Sequence, residues 1–368
     1  MIRVLHLRSS CGLYGADRAL LDLSEAHRVS LHPVVGSIVS GERDDPLGTE
    51  AMRRGLRTTR INSRGRVDLA SVAALAARIR TLEIELLHAH DYKSMVLALL
   101  AGRRTRVPVV ATYHGDTAAT PSLRAYEALA RALGNATRGV AAVSAPLARS
   151  LRSWIRTAPV MHIPNGIRAP APCNEAERGA ARRLFGIPPD AAVLAVVGRL
   201  SVEKGHAVLF DALRHLPRRP VLLVAGDGAL EAELRRRAGG LDVRWLGFRH
   251  DPRPVYAAAD AVVLPSLTEG LPLVALEAMA MGRPLVASAV GELPTLLSSD
   301  AGVLVPPGNS AALAGALQHL LADVPGQARM AVRARDRVQG HYRLEQTADR
   351  YTKALYAPAL ERAGAGTE

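Results

Sequence analysis

The stretch Ala192-Val193-Leu194-Ala195-Val196-Val197-Gly198-Arg199-Leu200-Ser201-Val202-Glu203-Lys204-Gly205-His206 decides how the chain is read. Its unbroken apolar start, Ala192 to Val197, is too short for a helix and rich in Val, which predicts a buried strand. Gly198 to Gly205 then forms a turn, and a helix begins at His206. A turn between a strand's carboxyl end and a helix N-terminus offers free backbone N–H groups and the positive end of the helix dipole, a natural anion site. Arg199 adds a planar fork of donors and Lys204 a mobile point charge, a pair that suits a pyrophosphate. On these two residues alone, ordinary surface cations explain the turn equally well.

The same rhythm of short apolar run and helical stretch extends outward in both directions, the pattern of parallel βαβ units. Strands are expected at Arg3 to Leu7, Pro33 to Val39, Ile84 to His88, Val107 to Tyr113, Gly139 to Val143 and Val160 to Ile163. Helices fall between them at Ala16 to His27, Leu69 to Thr81, Lys93 to Ala101 and Ser122 to Leu133. The second half continues with strands at Val221 to Ala225, Val243 to Leu246, Ala261 to Leu264, Leu285 to Ala287 and Gly302 to Val305. Between the halves, Pro164-Asn165-Gly166-Ile167-Arg168-Ala169-Pro170-Ala171-Pro172 can continue neither a strand nor a helix, so it reads as a linker. The expected fold is α/β: two Rossmann-like, doubly wound parallel-sheet domains facing across a cleft, with ligands at the carboxyl ends of the strands. The divisions are 1–165 for the first domain, 173–343 for the second, and 344–368 for a terminal helix crossing the domain boundary.

Composition agrees with two packed domains. The 368 residues are 48% hydrophobic and 22% charged, and the 4% aromatic content means aliphatic cores. Cys11 and Cys173 fit no metal-ligand spacing, no leader-like segment opens the chain, and no apolar run approaches the ~20 residues of a membrane span. The expected compartment is therefore the cytoplasm. The net charge of +13 is uneven: residues 1–190 hold 27 Lys/Arg against 16 Asp/Glu, and residues 191–368 hold 20 against 18. An excess confined to one half points to an anionic partner for that half. Without a basic helix interleaved with aromatics, nucleic acid is not expected. An anionic membrane surface or a phosphorylated acceptor fits better, with an Arg-rich composition that meets no partner as the plain alternative. Arg64, Arg66, Arg78 and Arg80 flank a helix rich in Ala and Leu, where contact with a membrane surface competes with a solvated face.

A second constellation follows at Glu269-Gly270-Leu271-Pro272-Leu273-Val274-Ala275-Leu276-Glu277. Pro272 pre-sets a helix start and Gly270 allows close backbone approach. Glu277 lies among almost wholly apolar neighbours, where an unpaired carboxylate would be costly. Paired hydroxyls of a bound sugar or a structural ion pair would each satisfy it. Three further motifs invite bland readings. His88-Ala89-His90-Asp91 resembles a metal cluster, yet on a strand both histidines share one face at its carboxyl end and line the cleft equally well. Gly226-Asp227-Gly228 lacks the third glycine of a dinucleotide fingerprint and reads as a tight turn. His114 stands out only because it follows a strand, in Thr112-Tyr113-His114-Gly115.

Taken in order and spacing, GRLSVEKG (198–205), VAGDGALEAEL (224–234), LGF (246–248), YAAADAVVLPSLTEGLPLVALEAMAMGRPLVAS (256–288) and DAGVLVPPGN (300–309) resemble the retaining family-4 glycosyltransferases of GT-B fold. So do GLYGADRALLDL (12–23), TYHG (112–115), AVSAPLA (142–148) and IPNGI (163–167) in the first half. The resemblance runs from Met1 to about Asp323, and it implies that 1–165 is the acceptor-binding domain and 173–343 the nucleotide-sugar-binding domain. It implies that Arg199 and Lys204 hold the donor diphosphate, with Gly198 in their turn, and that Glu277 binds the ribose hydroxyls. It further implies that Glu269 faces the transferred sugar and that backbone N–H groups of Gly270, Leu271 and Leu273 lie near phosphate or sugar. Phe248 would sit near the base, Gly15 would approach the diphosphate, and His114 would stand beside sugar and acceptor.

The resemblance also implies a retaining reaction on one face of the sugar, with the departing phosphate taking the acceptor's proton, rather than a double displacement on a carboxylate. No Asp-x-Asp occurs, so neither a bridging metal nor any other cofactor is expected, and fixed cations with a helix N-terminus carry that electrostatic task. The partners implied are a nucleotide-sugar donor (UDP- or GDP-sugar) and a glycan or lipid-linked acceptor, with peripheral contact at the inner face of the membrane. Two departures stand out. Tyr14 replaces a small residue in the first loop, with Asp17 where relatives carry Glu, and Val290-Gly291-Glu292-Leu293-Pro294-Thr295 has one Gly for two and Thr295 where many carry an acid. Two other functions stay open on the same fold: a nucleotide-sugar epimerase, and a non-catalytic subunit that binds the donor and regulates a partner.

Overall fold

The computed structural model describes residues 1–9, 12–41, 44–65, 68–115 and 121–364, without the side chains of 121–126 and 364. Cys11 and Arg66 lie outside these residues. The chain forms two compact units, Met1–Arg168 together with Leu344–Glu368, and Ala169–Arg343. Each is built on one parallel sheet.

In the first unit the strands are β1 (Arg3–Arg8), β2 (His32–Val39), β3 (Arg57–Asn62), β4 (Leu86–Ala89), β5 (Val109–Tyr113), β6 (Gly139–Ala142) and β7 (Val160–His162). They lie in the order β3-β2-β1-β4-β5-β6-β7. The second sheet holds β8 (Val193–Val197), β9 (Val221–Ala225), β10 (Val243–Gly247), β11 (Ala261–Leu264), β12 (Leu285–Ser288) and β13 (Val303–Val305), in the order β10-β9-β8-β11-β12-β13. Both orders reverse beside the first strand, so the reversal points fall between β1 and β4 and between β8 and β11. Helices leaving neighbouring strands there go to opposite faces, which opens a crevice at the carboxyl edge. The two-domain Rossmann-like architecture expected from the sequence is therefore present.

Central strands bury both faces. Val4, Leu5 and Leu7 of β1 and Leu194, Ala195 and Val196 of β8 are all at or near zero exposure. β3 and the helix Pro46–Arg53 before it were not expected. Arg57-Thr58-Thr59-Arg60-Ile61-Asn62 is an edge strand that buries only Thr59 and Ile61 as it alternates, so its sequence carries no apolar run. The terminal segment behaves differently from an ordinary tail. Leu344 donates its backbone N–H to the Ile167 carbonyl, and Tyr351, Leu355, Tyr356 and Ala359 pack with Val4, Leu86, Val110 and Ala141 of the first sheet. A π-helical turn, Tyr351–Tyr356, widens the spiral so that two tyrosines five residues apart fall on one face. Among the described residues no helix is long and apolar enough to cross a membrane.

Candidate active site

In the second unit the carboxyl ends of β8 and β11 bring together most of the residues singled out from the sequence. After β8, Val202–Lys204 makes one turn of 3-10 helix, and the helix His206–Arg214 follows Gly205. Gly205 takes φ +66°, and a side chain there would run into the Pro265 carbonyl at the end of β11, so no other residue fits without displacing backbone. That close approach sets Lys204 beside Glu269: the Lys204 ammonium donates to Glu269 Oε1 at 2.6 Å, and the Ser266 hydroxyl donates to the same oxygen at 2.8 Å. Arg199 donates to Glu203 Oε1 at 2.5 Å. Burial pushes the Glu203 carboxyl up, but hydrogen bonds from the Ser201 hydroxyl and its own amide, together with Arg199, hold it below its ordinary value.

The Gly226-Asp227-Gly228 turn supports this loop: Leu200 donates its N–H to the Asp227 carbonyl at 2.7 Å. Pro272 precedes the helix Leu273–Ala280, whose Glu277 is 9% exposed and accepts a 2.7 Å hydrogen bond from the Tyr256 hydroxyl. Leu271 and Leu273 are buried, and Phe248 is half-exposed with its ring edge-on to His250. The turn at Gly291 is tied to this region through the Glu292 N–H, which donates to the Gly270 carbonyl at 2.9 Å.

Three residues here were not singled out from the sequence. Tyr256 is the buried partner of Glu277; its signal was a phenol inside the apolar run at 256–264. Glu292 is 1% exposed, so the turn that lacks an acid at Thr295 has one three residues earlier, in the core. His206 is buried directly after the cationic turn, and burial, then Lys204, lowers its pKa to about 4.

In the first unit, Asp17 is buried and performs two structural tasks. It accepts from Arg8 Nε at 2.7 Å and from the Tyr14 N–H at 3.0 Å, which fastens the start of the helix Gly15–His27. The Tyr14 ring packs over Gly12, whereas a Cβ at Gly15 would meet no atom of the described residues. A side chain at 12 would therefore have to displace the Tyr14 ring, whereas one at 15 would displace nothing among the described residues. His114 follows β5, and its Nε2 lies 3.2 Å from His90 Nδ1. Burial, then Arg8, lowers its pKa to about 3, so the ring is neutral near pH 7.

His88 and His90 are 0% and 3% exposed, which corrects their expected place as lining of an open cleft. Parallel pairing sets His6 opposite His88, and nitrogens of His6, His88 and His90 come within 4.8 Å of one another. This third histidine was invisible in the local sequence. The donor set still fits a hydrogen-bonded cluster better than a metal. Both His88 nitrogens bond hydroxyls, of Tyr356 at 2.8 Å and Thr112 at 2.7 Å, both His90 nitrogens bond other rings, and the group holds no carboxylate.

Residues 14–169 match the family model described as Glycosyltransferase Family 4, and residues 191–323 the one described as Glycosyl transferases group 1. A D-inositol 3-phosphate glycosyltransferase of Kineococcus radiotolerans is 33% identical over 331 residues, 78% of this chain and 75% of that protein. The chain belongs to glycosyltransferase family 4. The family-4 chain is also 32% identical over 257 residues to the Putative teichuronic acid biosynthesis glycosyltransferase TuaC of Bacillus subtilis, covering 68% of this chain and, at 64%, just under two thirds of that protein. A phosphatidyl-myo-inositol mannosyltransferase of Mycolicibacterium smegmatis is 33% identical over 266 residues, 70% of this chain and 67% of that protein. Among solved structures, Anabaena HepE in complex with UDP and glucose superposes with a TM-score of 0.86 at 23% identity, over 97% of this chain and all of that one. At that identity the likeness speaks for the GT-B fold.

Proposed function

We propose that this chain is a retaining, metal-independent glycosyltransferase that moves a hexose-type sugar from a nucleoside diphosphate, a UDP- or GDP-sugar, to a hydroxyl of a glycan or lipid-linked acceptor. The observation that carries the reading is the convergence of Arg199, Lys204, Glu269 and Glu277 at the reversal point of the second sheet, with Lys204 and Glu269 joined at 2.6 Å. A carboxylate beside a lysine at a helix N-terminus suits a ligand that is anionic at one end and rich in hydroxyls at the other. Lys204 and Arg199 are assigned to the diphosphate, Glu277 to the ribose and Glu269 to the sugar, with Gly15 and His114 the contributions of the first unit.

In the reaction the acceptor oxygen bonds to the anomeric carbon as the bond from that carbon to the diphosphate oxygen breaks. The acceptor's proton passes to the departing diphosphate on the same face. Fixed cations stabilise the charge gathering on the leaving group, where one well-placed donor is worth about 3 kcal/mol of barrier. The names of the similar proteins support an acceptor bearing an inositol or a teichuronic acid intermediate, which an excess of 27 Lys/Arg over 16 Asp/Glu in residues 1–190 would also suit.

A thermal-shift panel of nucleoside diphosphate sugars tests the assignment, because a bound donor raises stability by mass action. One or more donors should raise the melting temperature of the parent, and Lys204→Ala and Glu277→Ala should each abolish the shift. Variants that respond like the parent would refute the site. Donor binding with no transfer and no hydrolysis would favour a regulatory subunit, and an epimer formed from donor alone would favour an epimerase.

A further inference from the structure

Five histidines of the first unit lie together where its sheet order reverses, and three of them form a continuous hydrogen-bonded chain. His6 Nδ1 lies 3.1 Å from His90 Nε2, and His90 Nδ1 lies 3.2 Å from His114 Nε2. The chain runs from the fully buried β1 to the half-buried loop after β5. His88 stands beside it, with its ring 4.0 Å from that of His90, pinned by the hydroxyls of Tyr356 and Thr112. His27 lies beyond the inner end, its ring centroid 6.1 Å from that of His6.

A neutral imidazole carries one proton and one lone pair on its two nitrogens. Three such rings in line have two satisfied arrangements, each with every proton pointing the same way. Any mixture sets two protons or two lone pairs face to face. The state of His114 Nδ1, the nitrogen outside the chain, is thus decided at His6. Charging the chain is no escape. The guanidinium of Arg8 donates to the His90 carbonyl at 2.8 Å and holds its own carboxylate, Asp17, through Nε. The other groups packed on the cluster are neutral: Thr112, Tyr351, Tyr356, Thr352 and the Ala348 carbonyl.

One end of the system has a fixed polarity. His27 Nε2 lies 3.1 Å from the Ala348 carbonyl, which can only accept, so His27 carries its proton on Nε2 and a lone pair on Nδ1. His27 Nδ1, His6 Nε2 and His114 Nδ1 are all buried without a hydrogen-bond partner among the described residues. The two rings stack 6.1 Å apart with no hydrogen bond between them, so the influence of His27 on His6 is electrostatic: a lone pair on His27 Nδ1 favours a proton, not a second lone pair, on His6 Nε2. His6 Nδ1 then accepts from His90 Nε2–H, and His90 Nδ1 accepts from His114 Nε2–H.

We propose that His27, His6 and His90 are positioning residues that form a tautomer lock, holding His114 as a neutral ring with its proton on Nε2 and its Nδ1 lone pair reserved for a hydroxyl of the substrate. The use of that lone pair in sugar transfer rests on the function proposed above; the lock itself does not. Burial keeps every member of the chain well below the ordinary histidine value, in accord with a neutral relay. A metal held by the same rings would require breaking these hydrogen bonds.

The test is a two-bond 15N–1H correlation spectrum of the full chain labelled at histidine, recorded from pH 5.5 to 8 without substrate. His114 and His27 should both give the neutral Nε2–H signature throughout. An Nδ1–H or doubly protonated His114 in that range would overturn the lock. His6→Phe should split His114 between two tautomers, whereas His6→Met, whose thioether can only accept from His90, should keep the single form. A His114 unchanged in His6→Phe, or split equally in both variants, would also overturn it. Should His6→Phe fail to fold, the parent spectrum and His6→Met decide. Because no donor enters this measurement, a chain that transfers no sugar would refute the transfer reading and leave the lock standing.

Discussion

Removing the Tyr256 hydroxyl takes one donor from a carboxylate that has almost no access to water. Tyr256→Phe should therefore cost about 1–3 kcal/mol of stability, seen as a lower urea midpoint with an unchanged slope, and should weaken donor binding because Glu277 loses its orientation. The buried histidines make a second prediction at this scale. Burial lowers His27 and His206 to about 4 in the folded chain, whereas the unfolded chain titrates near 6.5. Between those values the unfolded chain binds more protons, so their contribution is complete above about pH 6.5 and is lost as the pH falls toward 4. Each such group contributes up to about 3 kcal/mol. Urea midpoints should fall between pH 7.5 and pH 5, and the fall should be smaller in His27→Gln. Equal midpoints at the two pH values would show that these rings are not buried neutral. Glu277 could be picked out from sequence because a carboxylate is conspicuous in an apolar helix. Its partner could not, since a tyrosine 21 positions earlier looks like ordinary core.

At the level of elements, the loop after β8 is held by a close backbone contact as well as by its ion pairs. Gly205→Ala adds a methyl against the Pro265 carbonyl at a residue with φ +66°. It should destabilise the second unit by about 1–3 kcal/mol and abolish the donor-induced thermal shift even though Lys204 and Glu269 are both intact. A shift of parental size in this variant would mean that the turn tolerates displacement. The same comparison explains what was legible. Arg199, Lys204, Glu269 and Glu277 lie on two short segments, each with its own local grammar of strand, turn and helix start. The expected strands of the second half all appear in the structure: β8, β9, β11 and β12 are buried and read as apolar runs, and the partly exposed edge strands β10 and β13 still carry enough Val and Leu to be read. β3 escaped because an edge strand packs one side only and alternates with Arg and Asn. The histidine chain escaped for a topological reason: His6 and His90 are 84 residues apart, and only the pairing of β1 with β4 makes them neighbours.

For the molecule as a whole, the chain leaves the first unit at Arg168 and returns to it at Leu344, so the second unit is inserted within the first. The returning segment supplies Tyr351, Leu355 and Tyr356 to the core under β1, β4 and β5, and the Ala348 carbonyl to His27. At about 1.5–3 kcal/mol for each large buried side chain, losing them approaches the whole stability of a domain. A chain ending at Arg343 should lose the unfolding transition of the first unit and keep that of the second, as differential scanning calorimetry would resolve. Two intact transitions would show the terminal segment to be dispensable. The same insertion sets an order of events during translation. The middle of the chain has everything it needs once residue 343 has left the ribosome, while the portion made first must wait, unfinished and with part of its sheet uncovered, for the last residues to be released. A stalled or prematurely ended message would thus yield a chain with a complete second unit and an exposed first one, which quality-control proteases would recognise from its amino-terminal half.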